Sequence, residues 1–156
     1  MTTMEMVIQI TAAFIGSLGF AMFFKMRGKH VFLAGVSGAL TWWIYLLLEA
    51  SLGGVFLPNL VASMFVGVYA EVMARINYAP ATIFLTSGAV PLIPGGSLYY
   101  TMLGLVESDT LMFEENGRKA LIIALAIALG FMCVAIVNNL YIRFRAQLKH
   151  QVRQSK

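Results

Sequence analysis

The sequence predicts an all-α membrane protein with five transmembrane helices, the fourth broken by a Pro/Gly motif into two half-helices. Three observations carry this. Of the 156 residues, 60% are hydrophobic and 12% charged, and the mean hydropathy is +0.81. Soluble domains run near half apolar and about a quarter charged, so this composition belongs in lipid. The apolar residues also fall into runs of roughly 20, the length that crosses a bilayer core. Finally, "TSGAVPLIPGGSLYY", Thr86 to Tyr100, sets two prolines and three glycines inside one such run. Proline and glycine break helices, and lipid penalises every backbone group left unpaired.

The first helix is expected over residues 5–24. Its start could pass for a signal peptide, but Glu5 is the one charged side chain there, a basic leading region is missing, and the apolar run is too long. It reads as a retained helix. The loop "KMRGKH" leads to a second helix over 31–52. Gly53 and Gly54 form a turn, and Pro58 falls in the first turn of a third helix over 57–76, where proline is tolerated. "NYAP" ends that helix. The interrupted segment covers 81–106, with the interruption at 91–96. The acidic stretch "ESDTLMFEENGRK" is expected as a connection whose "LMF" lies on the membrane surface. A last helix over 120–142 and a basic cytoplasmic tail over 143–156 complete a single integral membrane domain over 1–156.

The net charge of +4 raises nucleic acid as a partner. The basic residues flank apolar runs instead of forming a domain, so lipid, not nucleic acid, is expected to face them. If the interrupted segment crosses once, Lys25, Arg27, Lys29, Arg75, Arg143, Arg145, Lys149, Arg153 and Lys156 share one side. Arg118 and Lys119 fall opposite, together with Glu5, Glu49, Glu107, Asp109, Glu114 and Glu115. Cytoplasmic loops are the basic ones, which places the N-terminus outside and the C-terminus in the cytoplasm. A re-entrant hairpin would send the basic tail outside, so the broken segment is expected to cross. Half-helices over 81–90 and 97–106 would each measure roughly 15 Å at 1.5 Å per residue, and Pro91 to Gly96 would meet near the midplane.

Two half-helices meeting in mid-membrane expose opposite dipole ends. The first, ending near Gly88, offers carbonyls to a cation or an ammonium group. The second, starting near Gly96 and Ser97, offers N–H groups to a carboxylate. A zwitterionic amino acid would satisfy both, and discontinuous helices of this kind form transporter sites. The candidate binding residues are Thr86, Ser87, Pro91, Pro94, Gly95, Gly96, Ser97 and Tyr99, with Tyr100 nearby. The competing reading is a packing kink; two prolines with "GGS" weigh against it.

Asn59, Ser63, Gly67, Glu71 and Arg75 recur every four residues on the third helix. Glu71 and Arg75 are spaced to pair. An acid within a membrane helix is costly and usually functional, so Glu71 is a candidate for a coupling proton or a substrate ammonium, against the plainer reading of a neutralised interfacial pair. Ala12 and Gly16, Ala34 and Gly38, Gly35 and Ala39, and Ala124 and Ala128 mark faces for close helix approach. Trp42, Trp43 and Tyr45 read as packing or belt residues, and Asn138 and Asn139 as donors between helices. Glu49, His30 and His150 read as interfacial. Cys133 reads as a packed thiol. No nucleophile elbow, zinc-binding helix or phosphate loop occurs, and no catalytic residue, metal or cofactor is expected. An intramembrane enzyme lacks its paired acid, histidine or metal cluster.

"GFAMFF" at Gly19–Phe24, "FLPNLVASMFVG" at Phe56–Gly67 and "PATIFLTSGAVPLIPGGSLYYTM" at Pro80–Met102 resemble the threonine/serine exporter family. They look most like the small, separately encoded membrane subunit of its split branch. "VPLIPG", Val90 to Gly95, is the most specific element. The resemblance implies a secondary transporter of the bacterial cytoplasmic membrane, driven by the proton gradient. It implies export of threonine and serine, or of small carboxylates. It also implies a larger membrane subunit as partner, with homo-oligomerisation as a further possibility. Pro91, Pro94 and Gly95 are the motif positions it carries over. The alternative is a structural subunit that stabilises a larger partner carrying the substrate path.

Overall fold

The computed structural model describes residues 3–154 and contains no strand among them. Lys156, counted above with the basic residues, lies outside the described residues. Three long helices come first: α1 (Thr3–Phe23), α2 (Lys29–Leu52) and α3 (Phe56–Asn77). Then come α4 (Ala81–Ala89), a 3₁₀ turn (Val90–Leu92) and α5 (Gly95–Val106). α6 (Thr110–Gln154) closes the chain. α1, α2, α3 and α6 are each long and apolar enough to cross a membrane, and the bent pair α4–α5 passes the same test together, as a fifth, broken span or as a re-entrant loop.

The helix ends follow from local chemistry. α1, α3 and α5 each stop at a residue in the left-handed region: Lys25, Tyr78 and Ser108. The next N–H then reaches back five residues: Met26 to the Ala21 carbonyl at 3.1 Å, Ala79 to Ala74 at 3.1 Å, Asp109 to Gly104 at 2.8 Å. This is the Schellman closure, which satisfies carbonyls that a helix end otherwise leaves bare.

One expectation fails. The acidic stretch is mostly helix and not a connection. The link shrinks to Glu107–Asp109, and α6 starts at Thr110 instead of near 120. The cause is polar and local. The Asp109 carboxylate accepts the Met112 N–H at 3.1 Å, an N-cap, and Glu115 pairs with Lys119 one turn on at 3.4 Å. α6 also runs past 142, so the basic tail is helical through Gln154. At 1.5 Å per residue this single helix is about 68 Å long, roughly twice the bilayer core.

Small residues set the packing. A Cβ on Gly38 of α2 would collide with the Ser17 hydroxyl of α1, one on Gly88 of α4 with the Ser37 hydroxyl of α2, and one on Gly130 of α6 with the Ser63 hydroxyl of α3. Three helix pairs therefore close by the same serine-into-glycine contact, the close approach that membrane helices use in place of a hydrophobic drive. Ser63 Oγ donates to the Leu60 carbonyl at 2.8 Å. The Ser17 and Ser37 hydroxyls have no hydrogen-bond partner among the described residues. Ala34, Gly35 and Gly38 lie inside, as the spacing predicts; Ala12, Ala124 and Ala128 are exposed.

Pairing between α3 and α6 fixes how the chain crosses. Ser63 meets Gly130 and Gly67 meets Val134, while Arg75 bonds Asn138 and lies over the Tyr141 ring. The numbers rise together, so the two helices are parallel. α4 leaves from the end where α3 stops, and α6 starts from the opposite end. The broken segment between them crosses from one end to the other and is not a re-entrant hairpin. Arg75 and Arg143 accordingly share one end of the bundle, and Arg118 and Lys119 the other.

Candidate functional site

Helical turns continue through Leu92 and resume at Gly95, so the break is narrower than residues 91–96. Pro91 is accommodated in the first turn of the 3₁₀ segment, where its missing N–H is not needed. That segment closes with the Ile93 N–H on the Val90 carbonyl at 3.2 Å. Pro94, lacking an N–H, ends the run. Ile93 and Pro94 are the residues between the halves, and the axes turn by 55° there.

At the start of α5, the Gly95 N–H is taken by the Ile93 carbonyl at 2.7 Å, and the Leu98 N–H by the Pro94 carbonyl at 2.9 Å. The Gly96 and Ser97 amides find no backbone acceptor among the described residues. They carry the positive end of the helix dipole. Gly95 and Gly96 are exposed, and no atom lies within 4 Å of where a Cβ would sit on either. Tyr99 is exposed too, its ring edge-on to Tyr100 at 5.3 Å.

The break has two walls. On the Pro91 side, a recess of about 230 Å³ is lined by Gln9, Ala12 and Ala13 of α1, Trp42 of α2, and Pro91. Ala13 is the middle of α1 and Trp42 lies close to the middle of α2, which puts the break at the middle of the bundle. The Trp42 indole donates to Gln9 Oε1 at 3.1 Å. Sequence reasoning missed Gln9; its partner is far along the chain, and no local pattern marks it. On the Pro94 side, an apolar groove of about 470 Å³ runs between α5 and α6, lined among others by Leu98, Thr101, Phe113 and Ala120.

The other expected site residues lie elsewhere. Thr86 is exposed and returns its hydroxyl to the Thr82 carbonyl at 2.6 Å. Ser87 is fully buried, with its hydroxyl 3.9 Å from Met26 Sδ. Both sit more than one turn before the break. The structure therefore gathers Pro91, Pro94, Gly95, Gly96, Ser97 and Tyr99 at the break and leaves Thr86 and Ser87 outside it.

Glu71 and Arg75 form a separate cluster at the end of α3. Their charged atoms are 3.6 Å apart. Arg75 gives its hydrogen bond to Asn138 and its face to Tyr141, 5.7 Å from the ring centroid. That leaves Glu71 facing a small cavity of about 70 Å³ between α3, α4 and α6, closed by Ala81, Leu85 and Phe131. From Ala81 to Leu92 the chain rises about 16 Å at 1.5 Å per residue, so the pair and the break sit at different levels of one crossing.

A family model described as "Threonine/Serine exporter, ThrE" matches residues 9–137. No solved structure matches the chain. The matched residues include α1 from Gln9, the whole of the broken helix and α6 as far as Val137, and the chain belongs to the threonine/serine exporter family.

Proposed function

From that membership we propose that the chain is the small membrane subunit of a secondary exporter of threonine and serine, or of small carboxylates, working across the bacterial cytoplasmic membrane. The observation that carries the reading is the open N-terminus of α5 at mid-bundle. The substrate carboxylate docks on the Gly96 and Ser97 amides, and its ammonium faces the carbonyl end of the 3₁₀ turn near Leu92. Pro91 and Pro94 hold the two ends apart, Gly95 and Gly96 keep the approach clear, and Tyr99 borders it. The basic ends of α1, α3 and α6 face the cytoplasm. A larger membrane subunit covers the exposed side of α5. Glu71 takes the coupling proton near the cytoplasmic entrance, and Arg75, tied to Asn138, steadies it without neutralising it through a hydrogen bond.

Gly96→Val tests the site. Open space at Gly96 within this chain predicts normal folding, co-purification with the larger subunit checks assembly, and the added side chain crowds the approach to the amides. Losing a charge-assisted hydrogen bond costs enough to slow threonine export about tenfold or more. Normal export from a normally assembled Gly96→Val complex would place the substrate path in the partner and leave this chain a structural subunit.

A further inference from the structure

We propose that Gln9 reads the side-chain hydroxyl of the substrate, with Trp42 holding it in register. The inference rests on the break being the substrate site and adds the element that would distinguish threonine and serine from apolar amino acids.

The starting point is an amide in an expensive place. Gln9 lies in the apolar run of α1 and faces the recess floored by Pro91. Gln9 is half-buried, and an amide with unmet hydrogen-bonding capacity is unfavourable in lipid; among the described residues its one side-chain bond is with Trp42 at 3.1 Å. An indole N–H is a donor and nothing else, so the oxygen of the Gln9 amide must face Trp42. The flip of the side chain is thereby fixed. Its NH₂ group and the second lone pair of Oε1 are left without partners among the described residues, beside the broken helix.

Trp42 is itself held. Its ring stacks on Tyr45 at 4.8 Å with 26° between planes, and the Tyr45 hydroxyl donates to the Glu49 carboxylate at 3.1 Å. A ladder of Glu49, Tyr45 and Trp42 therefore runs along α2 and crosses to Gln9 of α1 beside the break. A lone glutamine satisfying a tryptophan needs no such chain of supports. A side chain whose amide must keep one orientation does.

The chemistry divides cleanly. The two helix ends at the break carry opposite partial charges and suit the charged carboxylate and ammonium. Gln9 is neutral and offers both a donor and an acceptor, which matches a hydroxyl and no charged group. A site that bonds a substrate hydroxyl rejects the analogue lacking it far more strongly than an apolar pocket rejects an extra hydroxyl.

The test compares threonine with its apolar isostere valine in cells or proteoliposomes carrying the complete exporter. Gln9→Met keeps the length of the side chain and removes the amide. It is expected to lower the threonine-to-valine export ratio about tenfold or more, with threonine losing and valine not. Trp42→Phe removes the orienting donor and is expected to lower the ratio by about threefold, the value of one hydrogen bond. An unchanged ratio in Gln9→Met would overturn the inference. Should Gln9→Met fail to accumulate, the shorter Gln9→Ser is read in the same way. Gly96→Val, measured alongside, separates the two claims. Normal export from it removes the break as the site, whereas lost export together with an unchanged Gln9→Met ratio removes the hydroxyl reading alone.

Discussion

α4 with its 3₁₀ turn and α5 are of nearly equal length, come from one interrupted apolar run, and live in different surroundings. α4 packs against α1, α2 and α3; α5 packs on α6 and makes no comparable contact with the first three helices. Phe84, Ser87 and Gly88 of α4 are fully enclosed, whereas in α5 Gly104 alone is buried. Leu98, Tyr99, Tyr100, Met102 and Leu105 all stand out from the bundle. The 55° turn at Ile93–Pro94 thus divides a fixed half from a presented half. Were the break a mere packing kink, both halves would be expected to pack with the same neighbours. Here the turn hands the chain from one packing group to another and leaves polar N–H groups open at the handover.

Mutations can break this contrast or sharpen it. The largest effect is expected at Phe84, which is completely buried. Phe84→Ala should cost about 3–5 kcal/mol through the cavity it leaves. Tyr99→Ala in the presented half should stay within about 0.5 kcal/mol. Reversible unfolding in detergent measures both, and equal losses would mean that the halves are not differently supported. Next come the glycines. A Cβ on Gly88 would strike Ser37, so Gly88→Ala should cost about 1–3 kcal/mol, and adding Ser37→Gly should recover most of it, a coupling that a double-mutant cycle reads. Gly95→Ala has open space and gains helix propensity, so its stability should hold or rise slightly. Smallest is Asn138→Ala. Removing the Arg75 partner should loosen α6 on α3 by about 0.6 kcal/mol, the usual worth of such a bond between membrane helices. Because α5 rides on α6, amide exchange should quicken over 98–106 and not over 81–89.

Much of this was legible in the chain itself. Apolar run lengths placed α1, α2 and α3 within about two residues of their ends, a precision typical of helix boundaries. Charge sorting alone required the broken segment to cross, and the parallel pairing of α3 with α6 agrees. What stayed hidden lies where hydropathy and helicity part. Glu107 to Lys119 is polar and so reads as a connection, but Asp109 as N-cap and the Glu115–Lys119 pair make most of it helix. Hydropathy measures what suits lipid, and a helix that continues beyond the lipid escapes it. Thr86 and Ser87 illustrate a different limit: closeness in sequence to the break suggested a shared site, but not that the Thr86 hydroxyl returns to the Thr82 carbonyl or that Ser87 is buried beside Met26. Gln9 was invisible because its meaning comes from Trp42, on another helix. The Glu71–Arg75 pair was readable from spacing and Asn138 as a bond between helices, but not that Asn138 accepts from Arg75 or that Tyr141 lies beneath it.

The turn at Ile93–Pro94 also bears on how the protein enters the membrane as it is made. Each half is about 18 Å long at 1.5 Å per residue, well short of the roughly 30 Å that an anchoring segment must cover. Neither can hold in lipid by itself. As the ribosome delivers α4, it has α1, α2 and α3 to lodge against, through the contact of Gly88 with Ser37. α5 has no such shelter until α6 follows, joined by the short link Glu107–Asp109. The second half must therefore go in together with α6 as a hairpin, late and as one unit, which makes the longest helix in the chain the escort of the half that carries the open amides.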